Sequence, residues 1–261
     1  MTMKTAIRAA AALLAVAASP MALAQTIAIT GATLAIGDGS EPIQNGTVVI
    51  SAGKVVAAGA GVAVPAGAKT IDASGKWVTP GIVSGFSRVG LAEVPGVKET
   101  NDINARTPFS AAIDVAPAIN PLANPIAISR TAGVTRAVVV PATGNGIFAG
   151  QGAVVDLGAD MDPITKARAF QYVEMGEEGA EDAGGSRPAA YLTFKMMLRE
   201  AQDYAKAPAS YDGRSKDALL NRVDAEALVP VVTGAMPLMI HVESARDILG
   251  VLALRKDFPA L

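Results

Sequence analysis

No cysteine occurs in the 261 residues. A disulfide framework, a thiolate nucleophile and any cysteine-based metal site are therefore excluded. So is a lipoprotein anchor, which needs a cysteine at its cleavage point. Histidine occurs once, as His241. Aromatic residues are 4% of the chain, too few for base-stacking platforms. Charge of one sign is not in excess. There are 22 Lys and Arg against 24 Asp and Glu, for a net charge of -2, so nothing points to nucleic acid as a partner. After the N-terminus, no apolar run approaches the ~20 residues of a membrane-spanning helix.

What is present is a large apolar fraction. Hydrophobic residues make up 51% of the chain and charged residues 18%, the balance of a globular protein with a sizeable core. The length allows one or two domains. Residues 1–24 have the pattern of a signal peptide. Lys4 and Arg8 form a positive start, Ala9 to Ala18 an apolar middle, and Ala22-Leu23-Ala24 a small-x-small cleavage site before Gln25. The apolar middle is too short for a retained anchor. The expectation is export to the periplasm of a mature protein with no membrane span.

Residues 25–80 predict β-hairpins. Thr26 to Ile29, Thr47 to Ile50, Lys54 to Val56 and Lys69 to Asp72 have strand composition. Gly37-Asp38-Gly39, Asn45-Gly46 and Ser51-Ala52-Gly53 are turn signals between them. Asn45-Gly46-Thr47 also spells a glycosylation acceptor, but in this setting it reads as a turn.

At Trp77 to Gly90 the pattern changes. Pro80-Gly81 leads into an apolar strand, Ile82-Val83, and out into a polar, proline-rich connection over residues 91–131. Irregular connections of that length are usually functional or disordered. Val134 to Val140 follows as a buried-type strand, and Ala153 to Leu157 as another. Gly144, Gly146 and Ala149 have the spacing of a dinucleotide fingerprint, but that motif needs a helix directly after it. Asp156, Asp160 and Asp162 cluster; Asp162-Pro163 reads best as a helix start, with Asp at the N-cap and Pro at N1. Helices are expected over residues 163–182, 187–206 and 215–228. The methionines of the second belong to its core face. Pro237 to His241 is a further buried strand, and Ser244 a cap for a last helix carrying Ile248, Leu249, Leu252 and Leu254.

The passage Pro80-Gly81-Ile82-Val83-Ser84-Gly85-Phe86-Ser87-Arg88 resembles the amidohydrolase superfamily, its imidazolonepropionase-like branch in particular. There a small β-sandwich hands over to a metal-dependent TIM barrel through roughly Pro-Gly-Leu-Ile-Asp-x-His-x-His. Gly133-Val134-Thr135, and the strand ending at His241, carry the same resemblance. The fold it implies is α/β, the N-terminal half of a small β-sandwich at 25–80 followed by a TIM (β/α) barrel at 81–261. The stretch from Gly81 to Leu261 is shorter than the ~250 residues of a complete barrel. An N-terminal fragment, incomplete at its C-terminus, is therefore expected. Its unpaired strand edges predict an oligomer.

The implied activity is hydrolysis of non-peptide or small-peptide C–N bonds, and the partner a small-molecule substrate or ligand. Relatives use a divalent metal such as zinc. Here Ser84 stands at the Asp, and Phe86 and Arg88 stand at the first-strand histidines. Phe86 cannot coordinate a metal, and Arg88 is a permanent cation. No metal ligand is therefore assigned, and the cofactor stays undetermined. His241 matches the first histidine of a His-x-His segment, with Glu243 at the second and Asp247 after it. It lies at the end of an apolar strand, which in a TIM barrel is the catalytic face, and it is the expected catalytic residue. A Ser-His-Asp triad through His241 stays open, although no Gly-x-Ser-x-Gly elbow occurs. The alternative is a non-catalytic periplasmic binding or scaffold protein, in which Arg88 holds an anionic ligand.

Overall fold

The structure is a computed structural model that describes residues 25–94, 96–103, 106–144, 146–212 and 216–261. The signal-peptide segment, residues 1–24, lies outside them. The chain divides into two compact units, one ending at Pro80 and one running Gly81–Leu261.

The first unit is a single five-stranded sheet. Its strands are β1 (Ile27–Leu34), β2 (Ile43–Ser51), β3 (Lys54–Gly59), β4 (Lys69–Asp72) and β5 (Trp77–Val78). They lie in the order β3-β2-β1-β4, with β5 also paired to β1. One face buries Ala32, Leu34, Val48 and Ala73. The β2–β3 hairpin turns on Ala52 and Gly53, at φ 50 and 74, the positive pair that a two-residue turn matched to strand twist requires. The other expected turn, Asn45-Gly46, is not a turn. It lies within β2 opposite β1, where the register shifts between Ala32 and Leu34. Asn45 there adopts φ 51. The dipeptide signals positive φ, and a β-bulge meets that need as well as a hairpin does.

The second unit is a five-stranded mixed sheet with helices on one face. Its strands are β6 (Ile82–Ser87), β7 (Val134–Val139), β8 (Phe148–Asp156), β9 (Ile164–Glu174) and β10 (Leu238–His241), in the order β10-β9-β8-β7-β6. The pairs β6–β7 and β9–β10 are parallel. Strand β8 is antiparallel to both its neighbours. Four strands therefore run one way with a reversed strand between them. This departs from the all-parallel order of a regular barrel.

Residues 163–182 are not one helix. Most of that span is β9, and only Glu177–Asp182, helix α2, is helical. Lys166, Ala167, Arg168 and Ala169 are acceptable helix formers, but β8 pairs with the segment along its length and β10 joins it from Gln171 to Glu174. Tertiary pairing overrides local propensity here. Asp162 caps nothing: its N–H donates to Asp160 Oδ1.

Registers fix which side chains face the helices. Phe148, Val173 and Met175 pack against helix α3 (Arg187–Lys206) and helix α4 (Arg222–Val232). Ser186 caps α3 by accepting from Ala189 N–H. The buried residues Ala190, Phe194, Met197, Leu198, Ala201 and Tyr204 follow helical spacing, so the methionine-bearing face is core. Helix α4 begins at Arg222, later than the sequence suggested, because Asn221 is its cap and accepts from Asp224 N–H. Further along the same face, Ala137, Val139, Ala153 and Val155 are covered by Leu91, Val115, Ile119 and Ile126. That cover comes from the long connection and helix α1 (Asn124–Thr131). The opposite face carries Val140, Ala149, Phe170 and Tyr172, with Val138, Val154 and Met239 beside them. Helix α5 (Ala245–Ala253) is capped by Ser244, which accepts from Asp247 N–H. Its Ile248, Leu249 and Leu252 are exposed. Among the described residues no helix is long and apolar enough to cross a membrane.

Candidate active site

Strands β9 and β10 end together. Their register pairs Met239 with Tyr172 and His241 with Glu174. Alternation along each strand then sets Tyr172, Glu174, Met239 and His241 on the face opposite the helices. The C-terminal end of β6 reaches the same place. The Phe86 ring centroid is 5.9 Å from that of Tyr172 and 5.9 Å from that of His241. Arg88 follows two residues later, close enough for its charge to act on the Tyr172 hydroxyl.

The centre of the group is Glu174, whose side chain is 3% exposed. Its carboxylate receives the Tyr172 hydroxyl at 3.0 Å and Gly176 N–H at 3.2 Å. Nδ1 of His241 lies 2.9 and 3.0 Å from its two oxygens. An ionised carboxylate only accepts, so Nδ1 carries the hydrogen. Nε2 is then left with its lone pair, and it makes no hydrogen bond among the described residues. Burial pushes the Tyr172 hydroxyl well above its usual pKa; the charge of Glu174 and the hydrogen bond to it add to the rise, and Arg88 opposes it. The hydroxyl stays protonated and keeps donating.

Glu243 completes the cluster. Its carboxylate is 3.9 Å from His241 Nδ1 and accepts from Glu177 N–H at 3.2 and 3.3 Å. Gly176 makes the room: a Cβ there would fall 2.0 Å from Glu243 Oε2. The start of α5 is pinned just beyond. Asp247 accepts from Ser244 Oγ at 2.6 Å and pairs with Arg187 Nε at 3.2 Å. Donor atoms of Glu174, His241 and Glu243 all lie within 4.8 Å of one another. Two carboxylates and one imidazole fit one divalent ion, since catalytic zinc sites use about three protein ligands. They do not extend to a second ion, because Phe86 and Arg88 occupy the end of β6.

Of the residues singled out in the sequence, Phe86, Arg88, His241 and Glu243 are brought together here. Ser84 is not among them; its hydroxyl donates to Phe86 O at 3.3 Å. Asp247 is engaged with Ser244 and Arg187. No serine bonds His241 among the described residues, so no triad forms there. Asp156 and Asp160 accept backbone N–H groups two residues on and shape the turn into β9, at the opposite end of that strand from Glu174. The glycines from Gly146 onward enter β8 and not a helix, which removes the dinucleotide reading; Asn145 lies outside the described residues. Glu174 and Tyr172 were missed. The signal was present in Phe170-x-Tyr172-x-Glu174, an alternation hidden once the segment is read as a helix.

No protein-family model matches the chain. Its sequence is 28% identical over 160 residues to the amidohydrolase tasK of Hapsidospora irregularis, covering 55% of this chain and 16% of that protein. Its structure matches that of an amidohydrolase from Thermotoga maritima MSB8 with a TM-score of 0.75 at 24% identity. That match covers 89% of this chain and 62% of the solved one. The chain thus spans less than two thirds of either protein. Over the parts that align, the chain is similar in sequence to one amidohydrolase and shares the fold of another.

Proposed function

We propose that this chain hydrolyses a C–N bond in a small molecule, and that His241 and Glu174 carry the proton transfers. The observation behind this reading is the pairing of a half-exposed imidazole with a buried carboxylate at 2.9 Å. That tasK, similar in sequence, and the Thermotoga maritima protein, similar in fold, both bear the name amidohydrolase supports the bond class. Glu174 holds Nδ1–H and fixes the ring. Nε2 takes a proton from water as its oxygen adds to the substrate carbonyl. The imidazolium so formed is stabilised by Glu174 and returns the proton to the departing nitrogen as the C–N bond breaks. As an alternative to the Nδ1–H bond, with Nδ1 giving up its hydrogen, Glu174, His241 and Glu243 are the residues that would hold a divalent ion. Bound there, it would supply a polarised carbonyl and a more acidic water.

The test is turnover of a panel of N-acyl amines, lactams and dipeptides, with and without chelator, by wild type and His241→Ala. Turnover that survives His241→Ala would sink the reading.

The same frame also supports a second reading, a binding protein that does not turn its ligand over. What favours it is the end of β6, where Phe86 and Arg88 stand in place of coordinating residues. Saturable ligand binding with no turnover under any metal condition would select it. For either reading we place the mature protein in the periplasm, on the pattern of residues 1–24. An intact mass starting at Gln25 from the exporting host would support that; a retained N-terminus would not.

A further inference from the structure

Among the described residues, Arg88 is a charged group of the site with no hydrogen-bond or ion-pair partner. It is half-buried, its Nε is fully enclosed without a hydrogen-bond partner, and it forms no ion pair among the described residues. The nearby carboxylates are already engaged. Glu174 receives three donors. Glu178 accepts from Thr143 Oγ1 at 3.1 Å, and Glu243 accepts from Glu177 N–H. An enclosed donor with no acceptor costs stability. The fork of a guanidinium suits two oxygens of one anion. Beside it lies Phe86, a residue 49% exposed whose ring borders the rings of Tyr172 and His241. That ring offers an apolar platform next to the cation.

We propose that Arg88 recognises an anionic oxygen group, carboxylate or phosphate, on the molecule bound at this site, and that the flat or apolar body of that molecule lies on Phe86. The proposal rests on this face being the ligand site, and not on turnover. It makes Arg88 a specificity-determining residue: the group it holds is retained through any reaction at His241.

The experiment measures binding of benzoate, benzamide and phenyl phosphate by calorimetry, using full-length His241→Ala so that no turnover interferes. Benzoate and benzamide share a flat ring and differ in charge. Benzoate or phenyl phosphate is expected to bind at least about tenfold tighter than benzamide, and whichever is tighter identifies the class of anion. Arg88→Gln in the same background should erase that preference, and Arg88→Lys should keep part of it, since a point charge remains without the fork. Thermal melts show whether each variant folds. Equal binding of benzoate and benzamide overturns the proposal. So does an undiminished preference in Arg88→Gln, or the absence of saturable binding by all three probes. Anion-selective binding in a protein that never turns over substrate would leave this inference standing and remove the hydrolase reading. Turnover without anion selectivity would do the reverse.

Discussion

His241 and Glu174 are register partners on adjacent parallel strands, and the imidazole Nδ1 rests 2.9 Å from the carboxylate of a side chain that is 3% exposed. A carboxylate so placed sets both the tautomer and the orientation of the ring. Glu174→Gln retains the shape but removes the charge, so any hydrolysis should fall by about 100-fold or more. Steady-state kinetics on the wild type's best substrate checks this, with a melt to show that the fold survives.

One divalent ion, and not two, is the expected capacity of Glu174, His241 and Glu243. Elemental analysis after dialysis against zinc or manganese should find at most one equivalent per chain, and the ion should raise the melting temperature by mass action. His241→Ala should abolish that rise. Two equivalents in the wild type, both lost in the variant, would contradict the donor set described above.

Gly176 leaves space for the Glu243 carboxylate, 2.0 Å from where a Cβ would sit. Gly176→Ala must therefore push Glu243 away. Any ion affinity or activity that depends on Glu243 should fall as far as it does in Glu243→Ala, and the double variant should be no worse than either single one. Additive losses would mean that the two residues act separately.

Tyr172 donates to Glu174, and its hydroxyl is held above its ordinary pKa of 10.0. The raised folded value means that the folded state keeps a proton which the unfolded chain gives up. The stabilisation is whole below pH 10.0 and drains away as pH climbs toward the folded value. Denaturant unfolding at about pH 9 and about pH 11 should show a loss in the wild type that is smaller in Tyr172→Phe. Tyr211, also raised by burial and Glu200, should leave part of the slope behind.

Asp224 ties the long connection to α4. Its buried carboxylate accepts from Ser110 N–H at 3.0 Å, Ala112 N–H at 2.8 Å and Asn221 Nδ2 at 2.6 Å. Asp224→Ala removes the acceptor of the half-buried Ser110 and Ala112 N–H groups, while Asn221 Nδ2 keeps Pro108 O, and should cost about 2 kcal/mol, read as a lower denaturation midpoint without a change in slope.

Much of the second unit was legible in the amino acids. The strand at Val134, the strand ending at His241, the Met197 face of α3 and the Ser244 cap all follow from period and cap chemistry. The clustering of Phe86, Arg88 and His241 was legible only through a resemblance between motifs far apart in the chain. Helix and strand were confused at Lys166 to Glu174 because a short run of helix-tolerant residues has no intrinsic preference strong enough to resist pairing with β8 along its length and β10 at its end. Asn45-Gly46 was misplaced for a related reason: the residue pair specifies a backbone angle, and several structures use that angle.

By itself the sequence determined what chemistry is open to this protein: no thiol, one imidazole, an arginine and a phenylalanine at the end of an apolar strand. It also determined the local features that depend on neighbours a few residues away, namely turns, caps and amphipathic faces. The tertiary structure alone decided the partners. Glu174 is 67 residues from His241 in the chain and meets it only because β9 and β10 pair in one register. A shift by a single residue would turn Glu174 toward the helices and leave the imidazole without its carboxylate.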